Sequence, residues 1–308
     1  MAERATLSEA VAELVEPGSS LYITGFTHLI GFAAAHEIIR QKIEDLTLIR
    51  LTPDVVYDQM IAAGVASRLV FSYLGNPGVG NLHAIRRAIE GGEIEWTEYT
   101  HGSLIAALRA AASNLPFAPV EAVGATDLMK HNPGYATVED PFGGGEIAVV
   151  APVRPDLAIV HVQRVDQHGN VQVWGSTGDI REAAMAADRV IVTAEEIVDE
   201  AELRSDPNRT LLLGANVEAI ALAPMAAHPS YAQGMYARDN RFYREWAEMS
   251  STAEGARAYL DREVHGLDGR EAYCELHRER LNELKRVGDQ PAGTVNFGIN
   301  AAIADVQE

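Results

Sequence analysis

Cysteine is nearly absent. Cys274 stands alone in 308 residues, which excludes an intrachain disulfide and any metal site built from several thiolates. It lies in a polar helical stretch, Tyr273-Cys274-Glu275-Leu276, with no basic neighbour to stabilise a thiolate, so it is not read as a nucleophile. Lysine is almost as scarce, confined to Lys42, Lys130 and Lys285. The 25 lysines and arginines face 44 carboxylates, and a net charge of −19 excludes nucleic acid as the expected partner. Long apolar runs are missing too. None approaches the roughly 18–20 residues that a membrane-spanning helix needs, so no membrane partner is expected. The opening Met1-Ala2-Glu3-Arg4 lacks the charged-then-apolar pattern of a secretory leader, and a cytoplasmic location is the expectation.

What is present is an alternation of short apolar runs with amphipathic stretches, over a chain that is 47% hydrophobic. Thr6-Leu7-Ser8-Glu9 reads as a capping box opening a first helix, which Pro17-Gly18 stops. Strands follow at Ser20–Gly25, Leu46–Leu51, Arg68–Tyr73 and Ile94–Thr97. Helices fall between and after them at Phe32–Lys42, Pro53–Ala63, Asn81–Glu90 and Gly102–Ala112. Residues 115–145 are rich in Pro and Gly and read as a long functional loop or lid with short strands. Strand signals return at Glu146–Val150, Leu157–Val162, Val171–Trp174 and Val190–Thr193, with a helix at Ile180–Ala187 and apolar runs at Thr210–Leu213 and Glu218–Leu222. The expected fold is α/β: an open, mostly parallel sheet with helices on both faces and a helical C-terminal tail. The chain reads as a single domain over 1–308, with a core to about 235 and a helical extension from about 236.

Ligands of such sheets bind outside the carboxyl ends of the strands. Two turns there carry polar or glycine-rich tips. In the first, Thr24-Gly25-Phe26-Thr27-His28-Leu29-Ile30-Gly31, Thr27 and His28 either cap and solvate the turn or contact substrate. In the third, Gly75-Asn76-Pro77-Gly78-Val79-Gly80 is either a tight turn or a loop whose backbone approaches an oxygen. Ser72, in the strand feeding it, either bonds the backbone or reaches a substrate carboxylate. Glu98 and His101, at the fourth strand-to-helix junction, either cap the helix or line a ligand pocket. Glu146, after Gly143-Gly144-Gly145, precedes a strand rather than a helix and reads as structural. Asp166-Gln167-His168-Gly169-Asn170 reads as a structural turn, and His161 with His168 lacks the further ligands of a metal site, so none is expected.

Ile23-Thr24-Gly25-Phe26-Thr27-His28 resembles the Gly-Gly-Phe region of family I coenzyme A transferase α-type subunits, with Thr24 in place of the first glycine. Asn76-Pro77-Gly78-Val79-Gly80, Glu98-Tyr99-Thr100-His101-Gly102, Leu115-Pro116-Phe117 and the stretch from Leu157 through Asp166, Gly169, Asn170 and Gly175 match in order. The branch of the glutaconate CoA-transferase α-type chains is the most similar. The resemblance implies a sheet of the CoA-transferase and sugar-phosphate-isomerase type and a heteromer with a homologous β-type subunit. That partner would carry the nucleophilic glutamate, so no catalytic nucleophile is assigned to this chain. Substrates would be an acyl-CoA and a free carboxylic, even dicarboxylic, acid, with coenzyme A as substrate moiety and no cofactor. The substrate and oxyanion pocket would draw on Thr27, His28, Ser72, Gly75, Asn76, Gly78, Gly80, Glu98 and His101. Two rivals follow from the same resemblance. One is half of a CoA-dependent ring-opening hydrolase that takes a cyclic ketone acyl-CoA, a branch that carries a glutamate where His101 stands. The other is a non-catalytic sensor domain, for which no DNA-binding segment is present.

Overall fold

The structure, a computed structural model, describes residues 2–75, 80–121, 126–285 and 295–296. Its strands are β1 (Glu3–Arg4), β2 (Ser20–Ile23), β3 (Leu46–Ile49), β4 (Ala66–Phe71), β5 (Glu95–Glu98), β6 (Ala118–Pro119), β7 (Tyr135–Glu139) and β8 (Glu146–Val150). They continue as β9 (Leu157–Asp166), β10 (Val171–Gln172), β11 (Arg189–Val198), β12 (Thr210–Leu212) and β13 (Ala219–Leu222). The main sheet runs β1-β13-β11-β9-β2-β3-β4-β5, every neighbouring pair parallel, with β10 antiparallel to β9 and β12. After the two-residue edge strand β1, the chain crosses to β2, steps outward through β3, β4 and β5, then returns to β9 and steps outward the other way. The order therefore reverses between β2 and β9, which is the crevice position for a ligand in an open sheet.

Side chains of β2 alternate between the two faces. Leu21 and Ile23 join one core with helices α1 (Leu7–Leu14), α2 (Phe32–Gln41), α3 (Asp54–Ala62) and α4 (His83–Glu90). Tyr22 joins another with α5 (His101–Ala112) and, beyond a short α6 (Leu128–His131), α7 (Ile180–Ala186). The expected capping box forms, with Thr6 and Glu9 satisfying each other's backbone N–H. After α8 (Glu200–Ser205), the tail folds as α9 (Asn240–Met249), α10 (Ala253–Leu260), α11 (Arg270–Leu276) and α12 (Arg278–Leu284). It is no appendage, because Phe242, Trp246, Tyr259 and Leu260 complete the core under α3 and α4.

A buried carboxylate ties this tail down. Asp58 accepts a hydrogen bond from Ile85 N at 2.8 Å and another from Trp246 Nε1 at 2.8 Å. Burial pushes its carboxyl up to about 6. Both partners are N–H donors, so an amide there can satisfy only one and turns its own N–H₂ on the other. Asp58→Asn is therefore expected to lower stability at pH 7 by about 1–3 kcal/mol, read as a fall in urea midpoint at unchanged slope.

Residues 115–145, apart from 122–125 outside the described residues, carry the expected short strands, β6 and β7, with α6 between them; with β8 they form a three-stranded antiparallel sheet. The structure corrects the expectation for the strands that follow. Strands β9 and β11 each run for 10 residues, well past the apolar stretches 157–162 and 190–193. They continue through polar residues that pair across the two strands, Arg164 Nε donating to Glu196 Oε2 at 2.8 Å, and the polar residues before them are satisfied as well. His161 bonds Thr193 Oγ1 at 3.0 Å and Glu195 Oε1 at 2.8 Å, and Glu195 Oε2 accepts from Met225 N at 2.7 Å. The Asp166–Asn170 turn is structural, as its spacing predicts: Asp166 Oδ1 accepts from His168 N and Asn170 N, both at 2.9 Å.

Candidate functional site

The first turn leaves β2 at the reversal point. Its backbone alternates in hand: Gly25, Thr27 and Leu29 have φ of 105°, 58° and 53°, whereas Phe26 and His28 between them do not enter that region. Gly25 has no substitute, since a Cβ there would lie 2.4 Å from the His28 carbonyl oxygen. The turn is held from several sides. Asp179 accepts from Gly25 N at 3.3 Å and from the Tyr22 hydroxyl; Arg50 Nη2 donates to the Gly25 carbonyl; Ser230 Oγ donates to Thr27 O at 2.9 Å. Leu29 N donates to Tyr231 O at 2.9 Å.

His28 is a correction. Its side chain is fully buried, not a pocket wall. Gln233 N–H donates to Nε2 at 2.9 Å, so Nδ1 carries the proton and donates to Ser176 O at 2.8 Å. Desolvation lowers its pKa to about 4, and with both nitrogens committed it fastens the turn to the 174–176 and 230–233 segments. Thr27 stays half-buried at the turn's surface.

The remaining turns meet the first through aromatic contact. Phe26 packs edge-on against the His101 ring, 6.3 Å between centroids. His101 opens α5 after the Thr100 cap, and its Nδ1 lies 2.6 Å from Ser72 Oγ. Ser72 Oγ is also 2.7 Å from the Leu51 carbonyl, which can only accept, so the serine proton points there and Ser72 accepts from His101 Nδ1–H. His101 Nε2 faces Thr52 Oγ1 at 3.4 Å. Partial desolvation lowers the His101 pKa, while Asp179 opposes that shift, so near neutrality the imidazole is uncharged with its Nε2 lone pair free to accept.

Glu98 is half-buried three residues before His101, its carbonyl accepting from Asn132 Nδ2 at 2.8 Å. Gly75 abuts Tyr73, whose hydroxyl would lie 2.6 Å from an added Cβ. Gly80 is again a correction: with φ of 76° it is pressed against α9, where a Cβ would come within 2.5 Å of Ala247 Cβ, so it serves helix packing. Asn76 and Gly78 lie outside the described residues.

Sequence reasoning missed Asp179 and Arg50. Asp179 follows the Gly175-Ser176-Thr177-Gly178 turn, and that pair of glycines before a helix was its available signal. Arg50 is a charge closing the apolar run of β3. It is 1% exposed, and among the described residues its Nε and Nη1 have no hydrogen-bond partner. Burial, then the adjacent Asp179 charge, holds the Tyr22 hydroxyl far above its ordinary range, so it remains a proton donor to that carboxylate. Among the described residues no group of three or more His, Cys, Asp or Glu can hold a metal ion. Among them, too, no helix is long and apolar enough to cross a membrane.

Comparison with known proteins agrees over nearly the whole chain. The family model described as coenzyme A transferase matches residues 4–223. The A-type chain of the 3-oxoadipate CoA-transferase of Pseudomonas knackmussii is 46% identical over 269 residues, covering 86% of this chain and 95% of that protein. The crystal structure of glutaconate coenzyme A-transferase from Acidaminococcus fermentans superposes with a TM-score of 0.89 at 30% identity, covering 95% of this chain and 98% of that one. The IpdA chain of the cholesterol ring-cleaving hydrolase of Mycobacterium tuberculosis is 31% identical over 279 residues, covering 86% of this chain and 94% of that protein.

Proposed function

The chain belongs to the coenzyme A transferase family, and on that premise we propose that it is the A-type half of a two-chain transferase. Its partner would be a homologous β-type subunit that brings the nucleophilic glutamate. That glutamate attacks the donor thioester carbon, and coenzyme A departs as thiolate, leaving an acyl–glutamyl anhydride. The thiolate then attacks the glutamyl carbonyl, releasing the first acid and leaving a glutamyl thioester. An incoming carboxylate repeats the two exchanges in reverse and takes the coenzyme A, which enters as a substrate moiety, so the reaction needs no other cofactor. The named relatives act on 3-oxoadipate and glutaconate, and a dicarboxylic acid is the acceptor class favoured for this chain.

One observation carries the reading. The Phe26–His101 contact joins the first and fourth turns, with Ser72 and Thr52 between, into one open carboxyl edge. An uncharged His101 adds no negative charge of its own to that edge, on which Glu98 already supplies one carboxylate. Thr27 and Glu98 are half-buried on the first and fourth of these turns. The likeness to the ring-cleaving hydrolase supports a second reading, hydrolysis of a cyclic ketone acyl-CoA.

Co-expression with the neighbouring reading frame should yield a stable complex that exchanges coenzyme A between acids. Borohydride added after acyl-CoA should reduce a glutamyl thioester on the partner and leave this chain unlabelled. Label on this chain, or transfer by it alone, would sink the proposal. Acid released from a cyclic acyl-CoA without any acceptor would favour the hydrolase instead.

A further inference from the structure

Several backbone amides of the first turn have no acceptor among the described residues. Gly25 N–H is taken by Asp179 and Leu29 N–H by Tyr231 O, whereas those of Phe26, Thr27, His28, Ile30 and Gly31 are not taken. Of these five residues Phe26 and Thr27 are half-buried and the other three buried, so the Phe26 and Thr27 amides are the ones a ligand can reach. Residues of alternating hand turn successive N–H groups into one concavity, a form that binds anions. Arg50 fixes which way it opens. Its Nη2 holds the Gly25 carbonyl toward the interior, and across a trans peptide the Phe26 N–H then points the opposite way. Among the described residues Nε and Nη1 of that buried guanidinium have no hydrogen-bond partner, and its positive charge stands at the turn's base beside the Asp179 carboxylate. Space beside the Phe26 amide is kept by Gly178, where a Cβ would sit 3.4 Å from Phe26 N and 2.5 Å from Phe26 Cβ.

We propose that the Phe26 and Thr27 amides are oxyanion donors for the acyl group, with Arg50 and Asp179 as positioning residues; this rests on the transferase reading above. As the attacking carboxylate oxygen bonds the thioester carbon, the C=O π pair moves onto the acyl oxygen lying in this cup. When the C–S bond breaks, that pair re-forms the carbonyl and the C–S pair leaves on sulfur. Donors preset for the charged state stabilise it more than the ground state, so they act on kcat.

The test replaces each amide by an ester in the assembled two-chain complex, through the α-hydroxy analogue of Phe26 or Thr27, with glutaryl-CoA as donor and succinate as acceptor. Each ester should lower kcat on the order of 100-fold with KM changed by less than about threefold. Melting temperature should not move for the Thr27 ester, which loses no native hydrogen bond, whereas the Phe26 ester also weakens the Gly25 carbonyl as acceptor for Arg50 and should melt somewhat lower. The Leu29 ester, which does lose a native bond, should melt lower. Gly178→Ala should reproduce the kcat loss by crowding the Phe26 amide. Either ester with wild-type kcat, or a Thr27 ester whose kcat and melting fall together, overturns the proposal alone. A wild-type complex that transfers no coenzyme A overturns the transferase reading and this proposal with it.

Discussion

Asp179→Ala is expected to lower stability by about 2–5 kcal/mol and kcat on the order of 100-fold. The carboxylate is 1% exposed and accepts from both the Tyr22 hydroxyl and Gly25 N. Truncation leaves two donors unsatisfied where water does not reach, each costing about 1–3 kcal/mol. The second effect follows from position. Gly25 N is one of the bonds that hold the first turn's alternating backbone at the sheet's reversal point, so releasing it blurs the geometry a reacting acyl group meets. Asp179→Asn should fall between wild type and alanine. A phenol oxygen can accept as well as donate, so Tyr22 can reverse its role, which the two N–H donors around Asp58 cannot do. Urea denaturation and steady-state exchange in the assembled complex measure the two losses. An alanine variant of native stability and rate would show that the turn needs no such anchor.

Acid should unfold the protein well before its carboxylates are exhausted. Burial lowers His28 to about 4, His36 to about 3 and His228 to about 4, against an unfolded value near 6.5. A depressed histidine means that the unfolded chain binds the proton first. Stability is therefore complete above about pH 6.5 and drains away as pH falls toward 4. Each histidine contributes on the order of 3 kcal/mol over that window, at about 1.4 kcal/mol per pH unit. Asp58 works against them: raised to about 6, its folded carboxyl prefers the protonated form, so its contribution is present in acid and lost as pH rises through 6. It offsets about one histidine. The remainder is a large part of the roughly 5–15 kcal/mol that holds a typical domain. Urea midpoints measured from pH 7.5 to 4.5 should drop steeply below 6.5, and a flat profile would contradict the assignment of these three rings as buried and neutral. Titrating His28 by NMR gives the same answer residue by residue.

Local chemistry was legible where local chemistry decides. The Thr6–Glu9 box, the strand at Glu146–Val150 and the Asp166 turn need only neighbours within a few residues, and each forms where its spacing places it. The open parallel sheet was equally legible, because fully buried strands must read as short apolar runs between helices. His28 was not. As a polar residue in a glycine-bracketed turn it resembles a ligand contact, yet its bond to Ser176 spans 148 residues and that from Gln233 spans 205. The lengths of β9 and β11 were hidden for the same reason, since Arg164 and Glu196 read as polar residues past the strand ends until their mutual bond is known.

The chain by itself determined the fold class, the family resemblance and the edge of the sheet where chemistry belongs, because hydrophobic period and turn glycines act over a few residues. Tertiary structure alone decided which polar groups at that edge are scaffold and which are free. Burial and hydrogen-bond partners, not residue type, set that difference: they turned His28 and Gly80 inward, brought Arg50 and Asp179 beneath the first turn, and left the Phe26 and Thr27 amides open.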